Sequence, residues 1–158
     1  MLMRVIIFFL SLVVSVAAGA ERTVFRIDSE QPMAKVYPAV YEALEEAKFF
    51  VVFEPDIGKN LSQFAGRWGE NYNRNELSGI RSMVFCNGWY ANQVSNEDPR
   101  MLAMCPLRLT VIEQDGRASV LFVRPTHVAA HSPARDVLKE VEDEVIGAIH
   151  QGVRSAAQ

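Results

Sequence analysis

Hydrophobic and polar residues alternate along several segments of the chain, and this alternation predicts β-strands. One further segment is predicted as a strand because it is rich in β-branched and aromatic residues. The predicted strands are 22–28, 48–57, 80–86, 106–113 and 118–123. Asp115-Gly116 separates the last two of them, and this dipeptide favours a tight turn. The sequence therefore predicts a β-hairpin in the second half of the chain.

Apolar residues at helical spacing predict two long helices. One covers about 31–47, where Pro38 either kinks the helix or marks its first turn. The other runs from Pro133 to about Gly152, with Ser132 as its N-cap.

Shorter segments complete the predicted order of elements. Residues 60–68 predict a short helix, 69–79 a polar surface loop, and the stretch after Asn87 a short helix or turn. Both long helices need an apolar surface to cover, and an antiparallel sheet offers one. The predicted fold class is therefore α+β, a two-layer sandwich with the helices packed on one face of an antiparallel sheet.

The N-terminus has the pattern of a secretory signal peptide. Arg4 precedes an apolar run over 5–16, and small residues follow up to Ala20. The run is short for a bilayer span, which takes roughly 20 apolar residues. We therefore predict a signal peptide at 1–20, cleaved near Ala20, and a single α+β domain at 21–158 that is periplasmic or secreted.

Charge excludes two classes of partner. The full chain has a formal net charge of −3, and removal of Arg4 with the signal peptide changes it to −4. No basic stripe is present in the sequence, so binding to nucleic acid is not expected, nor binding to a membrane after signal cleavage.

Four segments resemble the domain-of-unknown-function 302 (DUF302) family, over about Pro32 to Gly152. They read "LEEAKFFVVFEPDIGKNL", "VFCN", "CPLRLTVIEQDGRASVLFVRP" and "SPARDVLKEVEDEVIGAI". The resemblance implies a TATA-binding-protein-like β-α-β-β-β-β-α layout and a homodimer, and it implies no known reaction. Many members have proline after the Cys/Gly-Asn pair, where this chain has Gly88.

Cys86 and Cys105 are the two cysteines of the chain, and three interpretations apply to them. A structural disulfide comes first, because export and an even cysteine count favour it and the predicted strands bring the two ends together. The second interpretation is a pair of free thiols for redox or sulfur-compound chemistry. The third is a soft-metal site for copper, with Met101 and Met104 beside Cys105.

The sequence contains no catalytic motif, so whether the protein is an enzyme stays open. We expect an accessory protein that binds a small ligand or a periplasmic protein near the two cysteines. The candidate binding residues are Cys86, Asn87, Trp89, Cys105 and Arg124. No cofactor is predicted other than the copper of the third interpretation.

Overall fold

The computed structural model describes residues 23–158. The signal peptide predicted at 1–20 lies outside these residues. The described chain contains five strands, six α-helices and two 3-10 helices. In chain order they are β1 (Val24–Asp28), α1 (Met33–Glu46), β2 (Phe50–Phe53), α2 (Ile57–Ser62), α3 (Ala65–Trp68), a 3-10 helix (Gly69–Asn71), β3 (Gly79–Cys86), α4 (Gly88–Glu97), a 3-10 helix (Pro99–Met104), β4 (Leu107–Gln114), β5 (Arg117–Val123), α5 (Pro125–Val128) and α6 (Arg135–Ala156).

The five strands form one antiparallel sheet in the order β1-β5-β4-β3-β2. The hairpin predicted around Asp115-Gly116 is confirmed, because these residues join β4 to β5 with backbone φ angles of 52° and 73°. A tight turn with positive φ at both central residues matches the twist of the flanking strands. The early strands β1 and β2 are at opposite edges of the sheet.

Helices α1 and α6 pack together on one face of the sheet. Val40 of α1, Ile149 of α6 and Val120 of β5 are all fully buried in the core between the two layers. The predicted α+β sandwich with helices on one face is thus confirmed. No helix within residues 23–158 is long and apolar enough to cross a bilayer.

Helix boundaries differ from the prediction in two places. Pro38 lies inside α1, which already begins at Met33, so it does not mark the first turn. The last helix begins at Arg135, and the predicted N-cap at Ser132 is wrong. The Ser132 hydroxyl instead accepts a hydrogen bond from the Ala134 amide (3.2 Å) and donates one to Asp98 (2.7 Å). The hydroxyl therefore links the loop before α6 to Asp98.

A second apolar cluster lies beyond the end of the sheet that carries Cys86. Its buried members are Val94, Ala129, Ala134 and Leu138, from α4, the loop after α5 and the start of α6. This cluster attaches the segment between β3 and β4 to the rest of the molecule.

Candidate functional site

Three sulfur-bearing side chains line one small pocket at the end of the sheet. Cys86 is the last residue of β3, and Met104 and Cys105 directly precede Pro106 and strand β4. Cys86, Met104 and Cys105 together line a cavity of about 20 Å³. We call this cavity the sulfur pocket. The prediction that the two cysteines lie close together in the fold is confirmed, because both line this cavity.

The predicted disulfide is wrong, because both cysteines are free. Strands β3 and β4 do pair, as expected, but Phe85 is opposite Leu107 in the register. Cys105 lies outside β4, and continuing the same register would set Cys86 opposite Pro106. The two cysteines are therefore offset by one position and are not directly opposed across the two strands.

The wall of the sulfur pocket is apolar and buried. Phe49, Val94, Leu138 and Val141 line it and are at most 2% exposed. Burial raises the pKa of the Cys105 thiol, and the nearby Cys86 sulfur adds to the rise. Cys105 therefore holds its proton at neutral pH, since burial away from cations disfavours a thiolate.

Asn87 builds the rim of the sulfur pocket. It is the N-cap of α4, where its side-chain oxygen accepts hydrogen bonds from the amides of Trp89 (3.0 Å) and Tyr90 (3.2 Å). The cap fixes the first turn of the helix, and with it Tyr90, whose ring stacks against Phe49 at a centroid distance of 6.1 Å. Asn87 thus positions an aromatic wall of the pocket.

The DUF302 family model matches residues 25–152. The chain belongs to the DUF302 family. The crystal structure of the uncharacterized conserved protein DUF302 from Bacillus stearothermophilus has the same fold, with a TM-score of 0.69. The two chains are 17% identical, and the match covers 82% of this chain and 97% of that chain. None of the curated proteins matches this chain.

Two of the predicted binding residues of this DUF302 chain lie away from the sulfur pocket. Trp89 is 66% exposed on α4 and does not line the pocket. Arg124 forms a salt bridge of 2.8 Å with Glu142, and its guanidinium lies 5.5 Å from the centre of the Phe25 ring. Met101, a candidate metal ligand, packs against the second apolar cluster.

Within residues 23–158 there is no group of three or more His, Cys, Asp or Glu side chains that could hold a metal ion. A metal bound in the sulfur pocket would have the two cysteines and Met104 as its available ligands. Of the predicted soft-metal residues, the structure brings Met104 and Cys105 together with Cys86 and leaves Met101 out.

Asp98 anchors the 3-10 helix that carries Met104. Its carboxylate accepts hydrogen bonds from the Arg100 side chain (3.0 and 3.1 Å) and from the Ser132 hydroxyl (2.7 Å). These hydrogen bonds, with that of Arg100 the strongest, lower the pKa of Asp98 to about 2. The carboxylate therefore ties the 3-10 helix to the loop before α6.

Replacing Asp98 with asparagine is expected to lower the free energy of unfolding at neutral pH and to change it little near pH 2. The folded pKa of about 2 is below the ordinary value of 3.8. The ionised group therefore stabilises the folded state above pH 3.8, and this contribution is lost as the pH falls toward 2. Urea unfolding of both proteins across this range measures the difference, and a difference that does not change with pH would contradict the prediction.

Two of the concave surfaces among the described residues lie away from the sulfur pocket. One is an open cleft of about 730 Å³ between α1 and β3, where the Arg81 guanidinium lies over the Tyr37 ring at 3.8 Å. The other is a groove of about 420 Å³ next to Trp68. Residues from several separate segments line the cleft, whereas the stretch 58–80 alone lines the groove.

Proposed function

We propose that this DUF302 protein is an accessory binding protein that holds a monovalent copper ion, Cu(I), in the sulfur pocket. One observation carries the proposal: Cys86, Cys105 and Met104 converge on a single cavity of about 20 Å³. Thiolate and thioether sulfur are the soft ligands that suit Cu(I).

The size of the sulfur pocket favours an ion over an organic ligand. A cavity of about 20 Å³ has room for little more than one water-sized sphere. Pockets for organic ligands usually measure roughly 300–1,000 Å³.

The surroundings of the thiols argue against thiol redox or sulfur-compound chemistry. A nucleophilic cysteine needs a lowered pKa and an open approach. Burial raises the pKa of Cys105, and a cavity of about 20 Å³ is too small for an organic sulfur compound. A metal ion changes this balance because its positive charge displaces the thiol protons, so binding and deprotonation occur together.

Copper retention by single variants tests the proposal. The protein is loaded with Cu(I) under reducing conditions and competed with bicinchoninate, a chromogenic Cu(I) chelator. We expect one ion per chain, with loss of stoichiometric retention in Cys86→Ser and Cys105→Ser and weaker retention in Met104→Leu. Met101→Leu is the matched control, because Met101 is a neighbouring thioether that does not line the sulfur pocket. Retention that is equal in the unaltered protein and both serine variants would refute the proposal.

The apparent affinity for Cu(I) is expected to increase as the pH rises through the neutral range. The thiols must lose their protons to become ligands, and the raised pKa of Cys105 keeps its proton in place at neutral pH. Competition titrations at several pH values, corrected for the protonation of the chelator, measure the slope. An affinity that is independent of pH would show that Cys105 does not bind as a thiolate.

Export and dimer formation stay predictions. The exposed apolar residues Phe50, Val52 and Phe53 on edge strand β2 support a contact with a second copy, since unpaired hydrophobic edge strands favour association. Residues of the proposed copper site lie at the end of the neighbouring strand β3, so such a contact would leave the site complete within each chain.

A further inference from the structure

We propose that the protein also binds a neutral, largely apolar aromatic molecule in a groove between the α2–α3 segment and β3. Leu61, Trp68, Tyr72, Leu77 and Ile80 supply the apolar surface of this groove. Its volume of about 420 Å³ is within the usual range for small-molecule sites. We call it the aromatic groove. It shares no residue with the sulfur pocket.

The lining of the aromatic groove carries no charge. Besides its five apolar and aromatic residues, it contains only glycine, serine and asparagine. An ionic ligand would lose its hydration without gaining an opposite charge, which costs free energy. The lining therefore favours a neutral occupant over an anion or a cation.

Three polar side chains of the groove, Ser62, Asn73 and Ser78, already have partners within the protein. The Asn73 side-chain nitrogen donates a hydrogen bond to the Leu77 carbonyl (2.9 Å), and its side-chain oxygen accepts one from the Leu77 amide (3.0 Å). The Ser62 hydroxyl donates to the Lys59 carbonyl (2.8 Å), and the Ser78 hydroxyl donates to Glu113 (2.9 Å). A ligand that depended on many hydrogen bonds would have to break these. Contact with the apolar and aromatic side chains is therefore the main recognition that the groove offers.

Trp68 is presented in a defined orientation. Its ring stacks against Phe64 with a centroid distance of 5.0 Å and an interplanar angle of 17°. Both side chains are about 40% exposed, and the exposure of an aromatic ring to water costs free energy. A planar ring in the aromatic groove would cover part of this surface and gain the offset stacking that aromatic pairs favour.

The α2–α3 segment, which forms one side of the groove, is held against β3 at the start of α2. Asp56 caps α2 by accepting a hydrogen bond from the Lys59 amide (2.8 Å). Gly58 brings the helix close to β3, where a Cβ atom would lie 3.2 Å from the Ile80 nitrogen. Beyond this anchor, α2 and α3 contain no buried residue. A segment with so little buried surface adjusts at low cost, so the groove can close around an occupant.

Binding of N-phenyl-1-naphthylamine, a neutral aromatic fluorophore, tests the proposal on the full chain. We expect saturable binding at one site per chain. Trp68→Ala should bind at least about tenfold more weakly, as expected for the loss of an aromatic contact. Trp89→Ala is the matched control, because Trp89 is an exposed indole outside the groove, and it should bind as the unaltered protein does. Equal binding by both variants, or binding that does not saturate, would overturn the proposal.

A second variant keeps the test independent of the loss of Trp68. Ser62→Trp adds bulk at the groove and should block the fluorophore, while circular dichroism and the unfolding midpoint report that the fold is kept. Unchanged binding by this variant would place the fluorophore elsewhere and refute the groove. A further result would also refute the proposal. In that case the fluorophore does not bind, and Trp68→Ala instead abolishes association with neutral lipid vesicles or with a second copy of the chain. None of these outcomes depends on copper, so the two proposals fail separately.

Discussion

Replacing Gly152 with alanine is expected to lower the free energy of unfolding by about 3 kcal/mol, at the upper end of the usual cost of overpacking. Gly152 lies in α6 where this helix crosses α1. A Cβ atom there would lie 2.5 Å from the Val40 Cα and 2.8 Å from the Ala39 carbonyl oxygen. Both are backbone atoms, so a side-chain rotation cannot relieve the contact. The two helices would have to separate and expose part of the core.

Gly147 offers a matched control on the same helix. No atom lies within 4 Å of the position that its Cβ would occupy. Alanine at 147 should therefore stabilise the protein by roughly 0.8 kcal/mol, the difference in helix propensity between the two residues. Equilibrium unfolding in urea of both variants measures the two effects. If both substitutions changed stability in the same direction, the close approach of α1 and α6 at Gly152 would be refuted.

Replacing Glu142 with glutamine is expected to destabilise the protein by about 3 kcal/mol, because it breaks a buried ion pair and leaves its partner without a counter-charge. Glu142 is only 3% exposed on α6. Its carboxylate accepts hydrogen bonds from Arg124 (2.8 Å), from the Thr126 amide (3.1 Å) and from the Thr126 hydroxyl (2.5 Å). This carboxylate joins α6 to the chain that leaves strand β5.

The effect of Glu142→Gln should depend on pH. Burial acts to raise the pKa of Glu142, but the hydrogen bonds from Thr126 and Arg124 outweigh it and hold the pKa below the ordinary 4.5. The charged group thus stabilises the folded state above pH 4.5, and the difference between the two proteins should shrink as the pH falls through the lowered pKa. Glu140→Gln, an exposed position on the same helix, is the control and should change stability little. A similar loss in both variants would contradict the role of the buried carboxylate.

Arg124 shows why the candidate site was only partly predictable. In the sequence it follows a strand of the hairpin and carries an available charge, so a ligand contact was a reasonable hypothesis. Its partner Glu142 is 18 residues further along the chain. Nothing local distinguishes that glutamate from the exposed acids around it in "EVEDEV". The two residues meet only because α6 packs back across the end of β5.

The two cysteines show the same limit of prediction from local sequence. The predicted strand pairing placed Cys86 and Cys105 at one end of the sheet, which the structure confirms, but the disulfide predicted between them is wrong. Cys105 lies outside β4, so the pairing of β3 with β4 alone does not determine where its thiol lies. Hydrophobic patterns strongly determine which strands pair, but they determine the ends of each strand only weakly.

Local patterns in the sequence by themselves determined the order of elements, the Asp-Gly hairpin and the two-layer α+β fold, because alternation, helical spacing and turn chemistry act within a few residues of the chain. Only the tertiary structure decided that the thiols are free, that Met104 rather than Met101 joins them, and that Arg124 pairs with Glu142. These features depend on where each strand ends and on the packing of segments that are distant along the chain, which local patterns do not determine.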